Sequence, residues 1–392
     1  MNHVVVLNMD SNGLGVARSL GRLGIPVYGA DHNEKAVGFF SKYCNKKLLL
    51  PNPTSNSQDC AKTLLRIGES LDRKAVLLPT SDAYVILISR FQKELAKYFY
   101  FNIPATNILE GLVDKSRQYA LAEELGVPIA KTYYPRTVSE LAKQKERYVY
   151  PMFIKGTSSH QWQDAFRSKG SVAQNYDELV HHFMLASEKK IPVVVQEIIK
   201  GPNCNHYKVC AYYSSAGELL ALFSTQKTRQ YPVDFGVGSY MISGYYPDLI
   251  AIARRFFEGI KYTGVGSIEF KKDEKDGIFK MIELNPRLWQ QNIQAAYAGI
   301  NFAFINYLEC IGEKAAPQLE FKSDVVWLDA IQDFQSFLTN RRKGDISFYR
   351  WLKSIWKANS YAYFAWDDLK PGWKNSNYGT KYLKLPLKLF TK

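Results

Sequence analysis

The sequence predicts an α/β protein that opens on a doubly wound domain, and three observations predict it. Residues 3–8 read as an apolar strand, 13–24 as a helix closed by its glycine, and 26–30 as a second strand followed by Asp31, which is a β-α-β start. A third strand at 75–78 runs into Pro79-Thr80-Ser81-Asp82 and a helical pattern from Ala83. Together these make a small domain whose ligands are expected beyond the carboxyl ends of its strands.

From Asp114 the pattern changes. A helix at 115–125, stopped by Gly126 and Pro128, leads to a strand at 131–134, a helix at 138–147 and a strand at 152–155. A loop over 156–171 precedes a helix at 176–189 and a buried strand at 192–196. Long strand-like runs follow at 206–213 and 219–226, then a helix at 248–259 and a hairpin of 264–272 with 278–284. No fixed-period repeat is visible, which sets solenoids and propellers aside. At 392 residues the chain is too long for one core, so two to four packed units are expected.

Composition narrows the function classes. The N-terminal apolar run has no basic flank and is interrupted by Asn8 and Asp10, so it reads as a strand and not as a signal peptide. The apolar region 295–311 is broken by Asn301, Asn306 and Glu309 and falls short of a membrane span. Five widely spaced cysteines without a C-x-x-C pair argue against a disulfide framework or a zinc site and for a reducing cytoplasm. The formal charge is +14, but residues 341–392 hold twelve Lys or Arg against three Asp, so the surplus sits in the tail and no nucleic-acid partner is expected. Within the tail, 346–358 places Phe348, Trp351, Leu352 and Ile355 on one helical face and Arg350, Lys353 and Lys357 on another. Trp356, Trp366 and Trp373 with Lys370, Lys374, Lys381, Lys384 and Lys388 extend that character, which suits an anionic membrane surface or a lipid-linked acceptor at the inner membrane face. The plainer alternative is a helix packed on the body of the protein.

Two N-terminal features invite a nucleotide reading. Gly13-Leu14-Gly15 with Asp31 suggests a dinucleotide site and an NAD-dependent oxidoreductase, but Arg18 stands where the third glycine belongs, so a tight turn into a helix is the preferred account. Asp82 reads as a helix N-cap.

The sharpest signal is the hairpin that carries Glu269 on one strand and Ile282-Glu283-Leu284-Asn285-Pro286-Arg287 on the other. Glu283 and Asn285 share a strand face, and Glu269 joins them if the hairpin loop has an odd number of residues. Two facing carboxylates call for a cation, and Mg²⁺ suits oxygen donors of this kind. The alternative is an exposed acidic face partly neutralised by Lys271 and Lys280.

These residues resemble the metal-binding acid, acid and asparagine of the ATP-grasp superfamily, followed by its arginine, in a carboxylate-amine ligase branch that includes D-aspartate ligases. The resemblance covers roughly residues 1–315. It implies an N-terminal α/β domain (1–113) and an α+β fold of two lobes (114–190 and 191–318), which leaves residues 319–392 as a basic aromatic C-terminal extension outside it. ATP and Mg²⁺ or Mn²⁺ are the implied cofactors, and a small-molecule carboxylate and an amine, among amino acids or cell-envelope precursors, the implied substrates. A nucleotide-binding regulatory protein with a degenerate fold is the rival.

Further positions follow from the resemblance. Lys115, a cation in the first turn of a helix where the dipole disfavours it, gains a reason from a phosphate partner. Lys155, ending the strand Met152-Phe-Ile, resembles the second phosphate-binding lysine. Gln196, Glu197 and Ile199 look like the adenine hinge, and Asn205 stands where the ribose-binding acid is expected. Lys227 and Arg229 share strand parity and resemble residues that meet the transferred phosphate and acceptor carboxylate, beside a substrate loop starting at Asp234. Arg287 would neutralise charge on an acyl phosphate. The segment 156–171 is the expected phosphate lid, poor in glycine here, and His160 and Trp162 carry no role.

Overall fold

A computed structural model describes residues 1–375; Lys381, Lys384 and Lys388 lie outside the described residues. Three sheets organise the described residues. The first is five-stranded and parallel: β1 (Val4–Leu7), β2 (Val27–Asp31), β3 (Cys44–Leu49), β4 (Ala75–Pro79) and β5 (Phe99–Tyr100), in the order β3-β2-β1-β4-β5. Val4, Val5, Val6 and Leu7 are all fully buried because helices cover both faces, as a doubly wound sheet requires. β3 and β5 are absent from the sequence reading.

The second sheet is four-stranded and antiparallel: β6 (Thr132–Tyr133), β7 (Met152–Gly156), β8 (Ser171–Ala173) and β9 (Val193–Glu197), ordered β6-β9-β7-β8. A lobe boundary at 190/191 therefore cuts this sheet, since β9 pairs with β6 and β7. The expected loop at 156–171 contains a helix, Ser159–Phe166, and Trp162 is its anchor, 1% exposed in the core of this lobe.

The third sheet has seven strands: β10 (His206–Tyr213), β11 (Leu219–Tyr231), β12 (Val237–Ser243), β13 (Gly264–Lys272), β14 (Phe279–Asn285), β15 (Val326–Leu328) and β16 (Ala358–Tyr361), ordered β14-β13-β10-β11-β12-β15-β16. The expected substrate loop after Asp234 is thus short, because β12 begins at Val237 and pairs with both β11 and β15.

The glycines at 13 and 15 lie inside the helix Ser11–Gly21, which Asp10 caps by accepting a hydrogen bond from Asn12 N. A Cβ on Gly15 would come within 2.7 Å of Asn292 Oδ1, and one on Gly13 within 2.2 Å of Asn8 O, so both glycines permit close packing. The Asp31 carboxylate accepts from Met9 N (2.6 Å) and Asn33 N (2.8 Å). The dinucleotide reading loses both its supports.

Residues 319–375 are built into the body. β15 and β16 extend the sheet, and the helix Phe348–Ile355 lays its apolar face on the helix Ala330–Lys343, with Trp351 stacked 4.4 Å from Phe337. The amphipathic face at 346–358 therefore packs in part on the protein, as the plainer alternative has it, with Phe348 still 51% exposed. Farther on, Asp368 accepts from Arg18 Nε (3.0 Å), Ser41 Oγ (2.6 Å) and Lys42 N (2.9 Å), while both oxygens of Asp367 accept from Nε and one terminal nitrogen of Arg22. Arg18 and Asp368 are each only 2% exposed, and breaking a buried pair strands a charge at a cost of about 3–5 kcal/mol. Asp368→Ala is expected to lower the unfolding free energy read from urea denaturation by that amount, with partial recovery in the Arg18→Met, Asp368→Ala double variant.

Candidate active site

The site begins at an edge strand. β14 pairs with β13 on one side, and on the other it is gripped by the helix Lys115–Glu124. Leu284 N donates to Gln118 Oε1 (3.1 Å), Gln118 Nε2 donates to Leu284 O (3.3 Å), and the Tyr119 hydroxyl donates to Ile282 O (2.7 Å). These bonds satisfy an edge that would otherwise be open.

The hairpin reaches its geometry by a route the sequence does not reveal. Lys272 pairs with Phe279, so the loop 273–278 has an even number of residues, and regular register would turn Glu283 away from Glu269. A bulge follows the Phe270–Met281 pair: Ile282 is skipped and Glu269 stands opposite Glu283. The bulged residue's carbonyl is the one that Tyr119 holds.

Two facing carboxylates repel, and lysines offset the repulsion. Lys115 Nζ lies 2.9 Å from Glu283 Oε2, and Lys208 Nζ lies 3.1 Å from Glu269 Oε1, directly across the strand pair. Lys115 holds the Glu283 carboxyl well below the usual range. Burial works against the charge on Glu269, yet Lys208 and Lys227 bring its pKa down to about 2. Lys271 and Lys280 are not the neutralisers: Lys271 donates to Ile199 O, and Lys280 pairs with Asp273 and Asp276. Asn285 Nδ2 lies 3.5 Å from Glu283 Oε1.

Behind the carboxylates, β7 delivers Lys155 into the same space. Its ammonium is buried and donates to the Tyr119 hydroxyl (2.7 Å) and to Gln196 Oε1 (3.1 Å). Gln196 Nε2 in turn donates to Thr132 Oγ1, and Glu197 N to Lys131 O. The Glu197 side chain faces Lys131 at 3.9 Å. Asn205 closes a short helical turn and donates to Lys272 O, 3.3 Å away. Burial lowers the His206 imidazole to about 3, which leaves it neutral beside Lys227.

Lys227 and Arg229 part company. The β11–β12 register shifts on both sides of Arg229, which breaks the expected parity. Arg229 is spent on Asp333 of the extension, through Nε and one terminal nitrogen at 2.8 Å each, and lies over the Tyr240 ring. Lys227 stays in the site, where burial depresses its ammonium to about 8 against the pull of Glu269. Arg287 donates to Asp82 Oδ1 (2.8 Å), tying the first sheet's carboxyl end to the metal-type face. Asp82 is the first residue of its helix and Ser81 the cap, so the N-cap reading of Asp82 is corrected.

Lys208 and Lys169 are the residues the sequence reading passes over. Lys208 carries a signal, as the one charged residue in the strand His-Tyr-Lys-Val-Cys-Ala-Tyr-Tyr. Lys169, whose charge acts on both glutamates and on Lys227, has none. Among the described residues no group of three or more His, Cys, Asp or Glu forms a metal cage. Two carboxylates and an amide oxygen are hard donors, suited to an ion that completes its shell with water and phosphate oxygens.

No family model matches the chain. It is 24% identical over 318 residues to a D-aspartate ligase of Enterococcus faecium, covering 76% of this chain and 74% of that one. Among solved structures it is similar to an L-amino acid ligase from Bacillus licheniformis, with 12% identity, a TM-score of 0.61, and 79% of this chain and 74% of that one covered. A similar fold is that of the biotin carboxylase domain of a Hydrogenobacter thermophilus carboxylase, solved with MgADP and bicarbonate, at 16% identity and TM-score 0.65 over 83% of this chain and 73% of that one. The chain is an ATP-grasp protein. It shares that fold with these carboxylating and ligating enzymes and is similar in sequence to the D-aspartate ligase.

Proposed function

We propose that this chain activates a small carboxylate with ATP as an acyl phosphate and transfers the acyl group to an amine, with an amino acid or cell-envelope precursor among its substrates. The observation that carries the reading is the register that sets Glu269 against Glu283 with Asn285 beside them, ringed by lysines. Those three side chains would hold Mg²⁺ or Mn²⁺, which when bound neutralises phosphate charge and orients the γ-phosphate. Lys115 and Lys155 meet the phosphates, the latter from a strand end that fixes its position. Gln196, Glu197 and Ile199 offer the segment along which an adenine lies, and Asn205 replaces an acid at the ribose. Lys227 attracts the transferred phosphoryl group, and Arg287 neutralises the acyl phosphate while the amine attacks. Arg229, held by Asp333, supports β11 from behind and makes no contact with substrate in this account. An ADP-release screen of amino acids and cell-envelope precursors in pairs, with product mass measured, tests the reading: no pair yielding an amide would overturn it.

A pH dependence follows. The charged form of Lys227 attracts phosphate and is lost above its depressed pKa, so kcat/KM for ATP is expected to fall as pH rises through about 8. Lys227→Arg, ionised throughout, is expected to remove that limb.

The extension retains exposed aromatic and basic groups after its packing is counted. Trp356, Trp366 and Trp373 are 83%, 85% and 73% exposed, and Lys353, Lys357 and Lys370 are exposed with them. We propose that this surface meets an anionic membrane at its cytoplasmic side and brings the ligase to a lipid-linked acceptor. Co-sedimentation with phosphatidylglycerol vesicles at moderate salt is expected to fall at least about threefold in a Trp356→Ala, Trp366→Ala variant. Equal sedimentation of both proteins would count against it.

A further inference from the structure

The lysine opposite Glu269 has a consequence for metal stoichiometry. Lys208 is 7% exposed, and its ammonium is fixed by two acceptors, Glu269 Oε1 at 3.1 Å and Gln291 Oε1 at 3.2 Å. β10 lies between β13 and β11, so the lysine stem is walled on both sides. It cannot swing out as a lysine in an open loop would. On the other carboxylate, Lys115 engages Glu283 Oε2. The oxygens not taken by an ammonium are then the second oxygen of Glu269, the second oxygen of Glu283, which has only a long contact from Asn285 Nδ2 (3.5 Å), and Asn285 Oδ1, which has only a long contact from Arg287 (3.4 Å). A pair of ions about 3.5–4 Å apart would need both oxygens of a bridging carboxylate. Three oxygens on one strand face make part of a single octahedron, the remainder being water and phosphate oxygens.

Charge points the same way. Lys115, Lys155, Lys169, Lys208 and Lys227 all lie close enough to act on the two glutamates. A nucleotide triphosphate entering this ring meets fixed ammonium charge that elsewhere a second divalent ion would have to supply.

We propose that the site holds one divalent ion per chain, on Glu269, Glu283 and Asn285, and that the Lys208 ammonium stands in the place of a second. The inference rests on the ATP-dependent reading above, and the test separates the two. The full chain is saturated with the non-hydrolysable analogue β,γ-methylene-ATP and titrated with Mn²⁺, free ion being followed by electron paramagnetic resonance. The wild type is expected to bind one Mn²⁺ per chain. Lys208→Met, which removes the ammonium and frees Glu269 Oε1 while keeping the stem, is expected to bind two, and Lys208→Arg, which keeps the charge, one. Two ions in the wild type, or one in Lys208→Met, would overturn the role of Lys208 and leave the nucleotide reading intact. No analogue-dependent Mn²⁺ binding in the folded wild type would overturn both. If Lys208→Met fails to fold, Lys208→Gln and the wild-type count decide.

Discussion

Glu283→Gln is expected to lower ADP formation by about two to three orders of magnitude, the size of effect seen when one preorganised charge-stabilising group is removed from an active site. The exchange keeps side-chain size and leaves an oxygen for Lys115, so the fold is retained. It removes the charge that a divalent ion needs at this position, and saturating Mg²⁺ is not expected to restore the rate. Wild-type turnover at high Mg²⁺ would remove Glu283 from the metal site. Stability gives a second readout with a definite sign. Lys115 depresses the folded pKa of Glu283 below the ordinary 4.5, so the contribution of the pair is present above that pH and is lost as pH falls through the folded value. Because Glu283 is one-third exposed, the loss in the variant at neutral pH stays below the about 3 kcal/mol of a fully buried pair. The gap between wild type and variant in chemical denaturation is expected to close as pH drops below 4.5.

Lys155→Ala has the next largest expected effect. A hydrogen bond to a charged group contributes about 1.5–3 kcal/mol, so losing the ammonium from the phosphates is expected to weaken ATP binding by about tenfold to a hundredfold. Titration calorimetry with ATP analogues measures it. The substitution also leaves the Tyr119 hydroxyl and Gln196 Oε1 without their shared donor, so Lys155→Met, which keeps the bulk, is the control for packing. His160→Ala is expected to change affinity less, and equal losses in the two would mean that Lys155 is not aimed at the phosphates.

The long strands were legible because their side chains alternate over many residues: β10, β13 and β14 stand within a residue or so of where the alternation puts them. β3, with Lys46 and Lys47 exposed, β5, with two residues, and β15, with three, carry too little pattern to show. The helix Ser159–Phe166 is short and follows a glycine, and it is anchored by Trp162, whose partners come from distant segments. The carboxylate face was visible as residue types, but its assembly depends on a bulge at Ile282 that no parity count contains. Arg229 shows the opposite failure. Its type and spacing matched Lys227, and only a partner 104 residues away, Asp333, reveals that it is engaged elsewhere.

The bond between Arg18 and Asp368 joins residues 350 apart in the sequence. At about 5–20 residues per second of synthesis, the helix Ser11–Gly21 waits roughly 20 to 70 seconds for the partner of its buried arginine. Through that interval Arg18 has no carboxylate from the extension to pair with, and water solvates its guanidinium in the meantime. The contact between Arg18 and Asp368 is therefore a late one even though the strands of the first sheet emerge first. The extension acts as a latch on the first helix, and a polypeptide that lacks Asp368 leaves Arg18 without its counterion.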